Sequence, residues 1–231
     1  MRQLFISGGS SGLGLRLTVD SLRDEAHVTA TYQSRPDALF FLQKQYSALH
    51  PVATELAHPS PTQDWPDVID AAILCAGSIR NQLMLKETSD DFATHLNTHL
   101  GGTMKLCQAL YPRLCKGKNP HLVIVSSRSA YEGNIGQAAY SASRAGMVGL
   151  AKTLAREWAE VGIKVNIIFP GWMKTRQTLA MPSSIRADYD ARNVLGHVNT
   201  LGEISRFIRF LITTQNISGQ IFNLDSRINT N

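Results

Sequence analysis

Gln3-Leu4-Phe5-Ile6-Ser7-Gly8-Gly9-Ser10-Ser11-Gly12-Leu13-Gly14 reads as a short apolar strand running straight into a glycine-rich turn. Leu15, Leu17, Val19 and Leu22 then begin a helical pattern. Each glycine has a physical use here. Gly8 supplies the positive φ of a tight turn, Gly12 lets a pyrophosphate approach the backbone, and Gly14 permits close packing of helix on strand. The helix start offers free N–H donors to phosphate. A merely flexible turn would contain the same residues, but this one follows the first strand of a chain in which strands and helices alternate, and that position favours dinucleotide binding.

The alternation extends over the whole sequence. Seven apolar, β-branched runs are expected as strands: Gln3 to Ser7, His27 to Tyr32, Val52 to Glu55, Ala71 to Cys75, Leu122 to Val125, Lys164 to Ile168 and Ile221 to Leu224. Helices are expected at Gly12 to Arg23, Asp37 to Leu49, Ser89 to Lys116 with a break, Ala139 to Val161, and Gly202 to Thr213. Parallel strands need crossover connections, so the pattern predicts an α/β chain of the doubly wound Rossmann type, with a seven-stranded, mostly parallel sheet and helices on both faces. At 231 residues and 43% hydrophobic content the chain can build one ample core, and we expect a single domain over 1–231. His58-Pro59-Ser60-Pro61 reads as a loop, too short for a linker.

Composition removes several function classes. The longest apolar stretches, such as Ala71 to Gly77, fall far short of the roughly 18 to 20 residues a membrane-spanning helix requires. Leu4-Phe5-Ile6 is too short for the apolar region of a secretory signal, so a cytoplasmic location and no membrane partner are expected. Cys75, Cys107 and Cys115 show neither a metal-ligand spacing nor an even count, and they read as reduced core residues with no metal. The net charge of +5 is dispersed along the chain, which argues against nucleic acid and suits an anionic small molecule.

Gln33-Ser34-Arg35 follows the second strand, where such a fold receives the adenosine ribose. An acidic residue there would repel a 2′-phosphate; none is present, and Ser34 with Arg35 can pair with one. The cofactor expected is therefore NADP, with NAD as the alternative. A solvated surface arginine is the plainer reading of Arg35.

The most informative stretch combines Ser126-Ser127 at the end of a strand with Tyr140-Ser141-Ala142-Ser143-Arg144 at the start of a long helical pattern. Tyr140 and Arg144 are four apart and share a helix face, and Ser127 closes a strand at the carboxyl edge of the sheet, where α/β ligands bind. A phenol with pKa about 10 is a poor base at neutral pH. A cation about 4 Å away contributes on the order of 4 kcal/mol at an effective dielectric near 20, equivalent to about three pKa units. Tyr140 could then exchange a proton with a carbinol or carbonyl while Ser127 hydrogen-bonds the same oxygen.

With these residues in place the sequence resembles the short-chain dehydrogenase/reductase family. The resemblance covers essentially the whole chain and rests on Ser7 to Gly14, Cys75-Ala76-Gly77, Ser127 thirteen residues before Tyr140, and Asn166 to Thr175. Gly136-Gln137-Ala138-Ala139-Tyr140 and Ala145-Gly146 also look like the family's surroundings of the tyrosine. The resemblance implies hydride transfer between nicotinamide and a carbonyl or alcohol substrate, with Tyr140 as proton donor or acceptor, Ser127 orienting the substrate oxygen, and Arg144 beside them. It implies cofactor contacts at Gly8, Ser10, Ser11, Gly12, Leu13, Gly14, Ser34, Arg35, Cys75, Ala76, Gly77, Tyr140 and Arg144. Pro170, Gly171, Met173 and Thr175 would hold the nicotinamide amide and the diphosphate side, and Glu55-Leu56 would stand beside the adenine. It also implies a homodimer or homotetramer.

The departures are specific. The family's catalytic lysine is Arg144 here, its helix asparagine falls at His99 (or at Asn97 if the helix is shifted), its Asn-Ala-Gly motif begins with Cys75, and its terminal motif is replaced by Leu224-Asp225-Ser226-Arg227. A guanidinium keeps its charge and releases no proton, so a relay through that position is cut. These changes favour a rival reading, a dinucleotide-binding sensor or interaction protein with little turnover; Ser127 and Tyr140 favour the enzyme. His99 reads more readily as a helix histidine satisfied in the core than as a base. Met147, Leu150, Leu154 and Trp158 form a packing stripe, expected to be buried against the sheet and a second subunit. A short substrate lid is expected near 176–201, where Met181, Ile185, Tyr189 and Val194 show no diagnostic pattern. Its Arg176, Arg186 and Arg192 are more readily solvated loop residues than contacts to an acidic substrate.

Overall fold

The computed structural model describes residues 1–59, 64–179 and 182–228. Its order is β1 (Gln3–Ser7), α1 (Gly12–Arg23), β2 (His27–Tyr32), α2 (Asp37–Gln43), β3 (Leu49–Ala53), β4 (Ala71–Leu74), α3 (Ser89–Leu96), α4 (Gly102–Leu114) and β5 (His121–Val125). Then follow α5 (Ser129–Glu132), α6 (Ala138–Glu157), β6 (Lys164–Phe169), α7 (Arg176–Leu179), α8 (Ser183–Ala191), α9 (Leu201–Leu211) and β7 (Ile221–Asn223). The strands form one sheet in the order β3-β2-β1-β4-β5-β6-β7. Every neighbouring pair is parallel. The strand order reverses between β1 and β4, which opens a crevice at their carboxyl ends.

Alternation along β1 explains the two layers. Phe5 points into a core shared with Leu106 and Leu110 of α4 and Met147 and Ala151 of α6. Leu4 and Ile6 point the other way, to Leu17 of α1, Leu39 of α2 and Ile204 of α9. Asp20 accepts a hydrogen bond from the Ser205 hydroxyl at 2.7 Å, tying α1 to α9 inside the second layer.

Two sequence expectations need correction. The third strand is Leu49–Ala53, not Val52 to Glu55, and α2 stops at Gln43 instead of reaching Leu49. Pro51 reads as a strand breaker, yet among the described residues β3 pairs only with β2 and is a sheet edge. The Ala48 carbonyl and the Thr54 N–H both bond inward to β2, so the nitrogen of Pro51 faces outward, where a missing N–H costs the ladder nothing. Second, Cys115 is exposed and Cys75 half-buried, so of the three cysteines Cys107 alone is a core residue. Met147, Leu154 and Trp158 are buried in the core of this chain, and Leu150 packs against it.

The expected break between Ser89 and Lys116 is a π-helical turn, Asn97–Gly101, joining α3 to α4. Ser60 and Pro61 of the expected loop and Met181 of the expected lid lie outside the described residues. Among the described residues no helix is long and apolar enough to cross a membrane, and no group of three or more His, Cys, Asp or Glu is placed to hold a metal ion.

His121, fully buried at the start of β5, bonds through Nε2 to the Thr214 carbonyl at 3.0 Å, while Nδ1 has no partner among the described residues. Burial is the main cause that pushes its pKa down from 6.5 to about 4, so the fold prefers the neutral ring. The unfolded chain therefore binds more protons between pH 6.5 and 4, and stability falls as pH drops through that window. For this group the expected loss between pH 7 and 5 is about 2 kcal/mol. Urea unfolding at the two pH values, with His121→Gln flattening the difference, checks it.

Candidate active site

The turn between β1 and α1 is built as its glycines require. Gly8 has φ +67°, and a Cβ on Gly14 would lie 2.2 Å from the Gly8 carbonyl oxygen, so this packing admits only glycine. Gly12, at φ +53°, faces open space with only Thr175 Cγ2 near, 3.8 Å from where its Cβ would be. A side chain at Gly12 would fill the space between the α1 N-terminus and Thr175, where the first-turn N–H groups have no partner within the helix. That cradle fits a diphosphate. Leu13 turns its side chain into the core, leaving only its backbone to serve a ligand.

From this turn a groove runs toward the edge of the sheet, lined by Gly8, Ser10, Ser11, Ser34, Arg35 and Ala76 among others. Ser34 and Arg35 are exposed, and Arg35 forms no ion pair among the described residues. Thr54 and Leu56 line the groove, but Glu55 does not, which corrects the expectation for that residue. A second cavity contains Cys75, Ser127, Tyr140, Arg144, Pro170, Gly171, Met173 and Thr175 in its walls. Gly77 lines both, so the two form one crevice at the carboxyl ends of β1, β4, β5 and β6. The residues expected at an adenosine side, Ser34 and Arg35, and those expected at a reactive end, Ser127 and Tyr140, line its two parts.

Ser127 follows β5, and its oxygen accepts from the Ser129 N–H at 3.2 Å while its hydroxyl donates to Ser129 Oγ at 3.1 Å. Asn134 donates to the same Ser129 oxygen at 2.7 Å, which fixes the loop. Tyr140 sits in the first turn of α6, 8% exposed, and its hydroxyl makes no bond to a protein group among the described residues. Serine and phenol thus face one cavity with hydrogen-bonding capacity to spare.

Arg144 lies one turn further along α6, 6% exposed, with its guanidinium carbon 4.7 Å from the centroid of the Tyr140 ring. This is a cation–π contact. Nη1 donates to the Val125 carbonyl at 3.3 Å, Nε has no partner, and no carboxylate pairs with the group among the described residues. Gly77 makes room for it: a Cβ there would be 2.4 Å from Nη2. The Cys75 thiol, in the wall of the cavity, is pushed up to about 12 by burial and stays protonated.

Sequence reasoning missed two groups around this site. Arg128, the residue after Ser127, donates to Glu132 at 2.8 Å and to Asp225 at 3.3 Å. Arg227 donates to Asp225 at 2.7 Å and to Glu132 at 3.3 Å. This closed quartet ties the segment after β7 to the loop after β5, and Gly171, at φ +76°, is where Asp225 crosses; a Cβ would meet its Cβ at 2.6 Å. Partners almost a hundred residues apart carry no local signal, although the altered Leu224 to Arg227 motif marks one end. The other group is His95, whose ring packs on His99 at 4.3 Å. From the expected lid, Tyr189 lines the cavity and stacks on Trp172 at 5.0 Å.

A family model described as Enoyl-(Acyl carrier protein) reductase matches residues 57–226. The chain belongs to the short-chain dehydrogenase/reductase family. Among similar curated proteins, a 3-oxoacyl-[acyl-carrier-protein] reductase FabG of Thermotoga maritima is 33% identical over 159 residues, covering 68% of this chain and 65% of that protein. Carbonyl reductase family member 4 of Xenopus laevis is 30% identical over 158 residues, with 68% and 65% covered. The match thus spans slightly less than two thirds of these relatives' length. A crystal structure of 3-hydroxyacyl-CoA dehydrogenase type-2 from Mycobacterium avium superposes with a TM-score of 0.87 at 22% identity, covering 100% of this chain and 97% of that one, so the fold is shared. Within this short-chain dehydrogenase/reductase, the residues that depart from the family pattern, Arg144, Cys75 and His99, all border the crevice that Gly77 joins.

Proposed function

We propose that this chain is an NADP-dependent oxidoreductase that transfers a hydride between nicotinamide and a carbonyl or alcohol substrate, working as a single domain with a lid near 176–201 and as a homodimer or homotetramer. The observation that carries the reading is the placement of Ser127 and Tyr140 in one cavity, continuous through Gly77 with a groove that ends at Ser34 and Arg35. The glycine cradle before α1 and Thr175 would hold the diphosphate, Pro170, Gly171 and Met173 the nicotinamide end, and Arg144 the adjoining ribose. When bound, the reduced cofactor supplies the hydride. Ser127 hydrogen-bonds the substrate oxygen, and Tyr140 gives it a proton in reduction or takes one in oxidation. The names of the relatives, 3-oxoacyl-[acyl-carrier-protein] reductase and carbonyl reductase, support starting with 3-oxoacyl thioesters and simple ketones. NADPH consumption over such a panel tests the reading; no turnover with any carbonyl contradicts it.

A second reading, a dinucleotide-binding sensor with little turnover, is favoured by one feature. The Arg144 guanidinium rests on the face of the Tyr140 ring and bonds to the Val125 carbonyl. Tight NADPH binding without turnover would select it.

Cofactor choice rests on Arg35. An exposed arginine without an ion pair at the end of β2 can make charge-assisted bonds to a 2′-phosphate, and no carboxylate among Gln33, Ser34 and Arg35 opposes it. Arg35→Ala is expected to weaken NADPH by about 1.5 to 3 kcal/mol and NADH little. Fluorescence titration of both cofactors checks this; equal affinities in the unmodified protein contradict it.

A further inference from the structure

The cavity that holds Ser127 and Tyr140 is lined by two unlike sets of side chains. Trp172 follows Gly171 directly and faces the cavity, and its ring stacks on Tyr189 of α8 with centroids 5.0 Å and planes 13° apart. Arg192 braces the pair, its guanidinium carbon 5.6 Å from the centroid of the Tyr189 ring. The chain has three tryptophans, and Trp65 and Trp158 are 3% and 7% exposed in the core. Trp172 is half-buried, so the core does not account for it. The other set is charged: Arg128, Glu132 and Arg227 line the same cavity. Asp225 and Glu132 hold both guanidiniums by charge-assisted bonds, so these groups do not swing aside without breaking them. An alkyl chain laid on this end would strip water from the charges and return no hydrogen bond.

We propose that the substrate carbonyl carries an aromatic ring, that Trp172 selects it by stacking, and that long unbranched acyl chains are poor substrates. The inference rests on the hydride-transfer reading and names its substrate class. An aromatic ring stacked on another gains about two- to tenfold in affinity beyond what its buried area gives, because the quadrupoles match in the offset arrangement. A saturated ring or an alkyl chain of the same size buries comparable area and lacks that gain. The chain also loses more rotor freedom on binding, and its far end meets Arg128, Glu132 and Arg227. A ring is compact enough to lie along Trp172 while its carbonyl oxygen reaches Ser127 and Tyr140. The reaction is unchanged: the carbonyl carbon gains the hydride as the nicotinamide is oxidised, the oxygen gains the Tyr140 proton, solvent returns one proton, and the product is an alcohol. The 3-oxoacyl substrates in the names of the relatives belong to those proteins, and the lining of this cavity points to a different class.

The test uses three methyl ketones of equal carbon count whose carbonyls are insulated from the ring, so that intrinsic reactivity is matched: 4-phenylbutan-2-one, 4-cyclohexylbutan-2-one and decan-2-one. With NADPH saturating, kcat/KM for the phenyl ketone is expected to exceed that of each of the others by about fivefold. Trp172→Leu should bring the phenyl-to-cyclohexyl ratio to within about twofold of unity, and Trp172→Phe should keep most of the preference. Equal kcat/KM for the phenyl and cyclohexyl ketones, decan-2-one as the best of the three, or a preference that survives Trp172→Leu overturns the proposal. Binding supplies a readout apart from turnover. Titration calorimetry of the same ketones into protein saturated with NADP+ should rank them in the same order, with the same loss in Trp172→Leu. If Trp172→Leu does not fold, the ratios in the unmodified protein and in Trp172→Phe decide. If the unmodified protein reduces no carbonyl, the hydride-transfer reading fails separately, and the binding order alone decides whether Trp172 selects an aromatic ring.

Discussion

Tyr140→Phe is expected to lower carbonyl reduction by about a thousandfold, within the range that general acid catalysis supplies, while NADPH affinity and the unfolding free energy stay close to those of the unmodified protein. The structure separates these effects. The phenol hydroxyl makes no bond to a protein group among the described residues, so its removal leaves no buried donor or acceptor unpaired. The ring keeps its packing in α6 and its contact with the Arg144 guanidinium 4.7 Å away. What disappears is the phenol proton at the cavity that also holds the Ser127 hydroxyl. Ser127→Ala should have a smaller effect, because it removes a hydrogen bond to the substrate oxygen and leaves the proton donor in place. Matched activity, titration and melting measurements on the variants check the separation, and full activity in Tyr140→Phe would refute the assigned role.

Arg144 gives the second large effect, with stability and activity moving in opposite directions. Its guanidinium is buried with no carboxylate partner and an unpaired Nε among the described residues, an arrangement that costs folding free energy. Arg144→Met, beside Met147, is expected to fold at least as stably as the unmodified protein while losing turnover, because the cation on the face of the Tyr140 ring is gone. Arg144→Lys restores a cation and should change turnover by less than about tenfold, or 1.4 kcal/mol, if the role is electrostatic. A rise of several orders of magnitude from a near-zero start would instead show a silent site one substitution away from activity and would favour the sensor reading. Melting curves and steady-state rates for both variants, with NADPH saturating, distinguish these outcomes.

How much of this was legible in the sequence varies with the range of the interaction. The strand, turn and helix from Gln3 to Arg23 are decided by nearest neighbours and by glycine sterics, so β1 and α1 have the expected limits. The third strand was misplaced because Pro51 is a local breaker whose cost depends on which side of the sheet edge its nitrogen faces, a tertiary property. The meeting of Ser127 and Tyr140 in one cavity was legible because a strand end and a helix start come together at the carboxyl edge of the sheet in any fold of this topology. The Arg128, Glu132, Asp225 and Arg227 quartet was not, because it joins the loop after β5 to the segment after β7. His99 was legible as a departure from the family pattern, but its stacking on His95 was not. A π-helical turn shifts the side-chain register, and α-helical spacing does not contain that shift.

The central claim is hydride transfer at the crevice where Ser127 and Tyr140 meet the glycine cradle. Its most direct test is incubation of the protein with NADPH deuterated at nicotinamide C4 and the best carbonyl found, followed by mass spectrometry and NMR of the product. Deuterium on the carbinol carbon, from one face of the nicotinamide only and lost in Tyr140→Phe, is the predicted result. NADPH that binds but leaves every carbonyl unlabelled, or label that persists at full rate in Tyr140→Phe, would contradict the account.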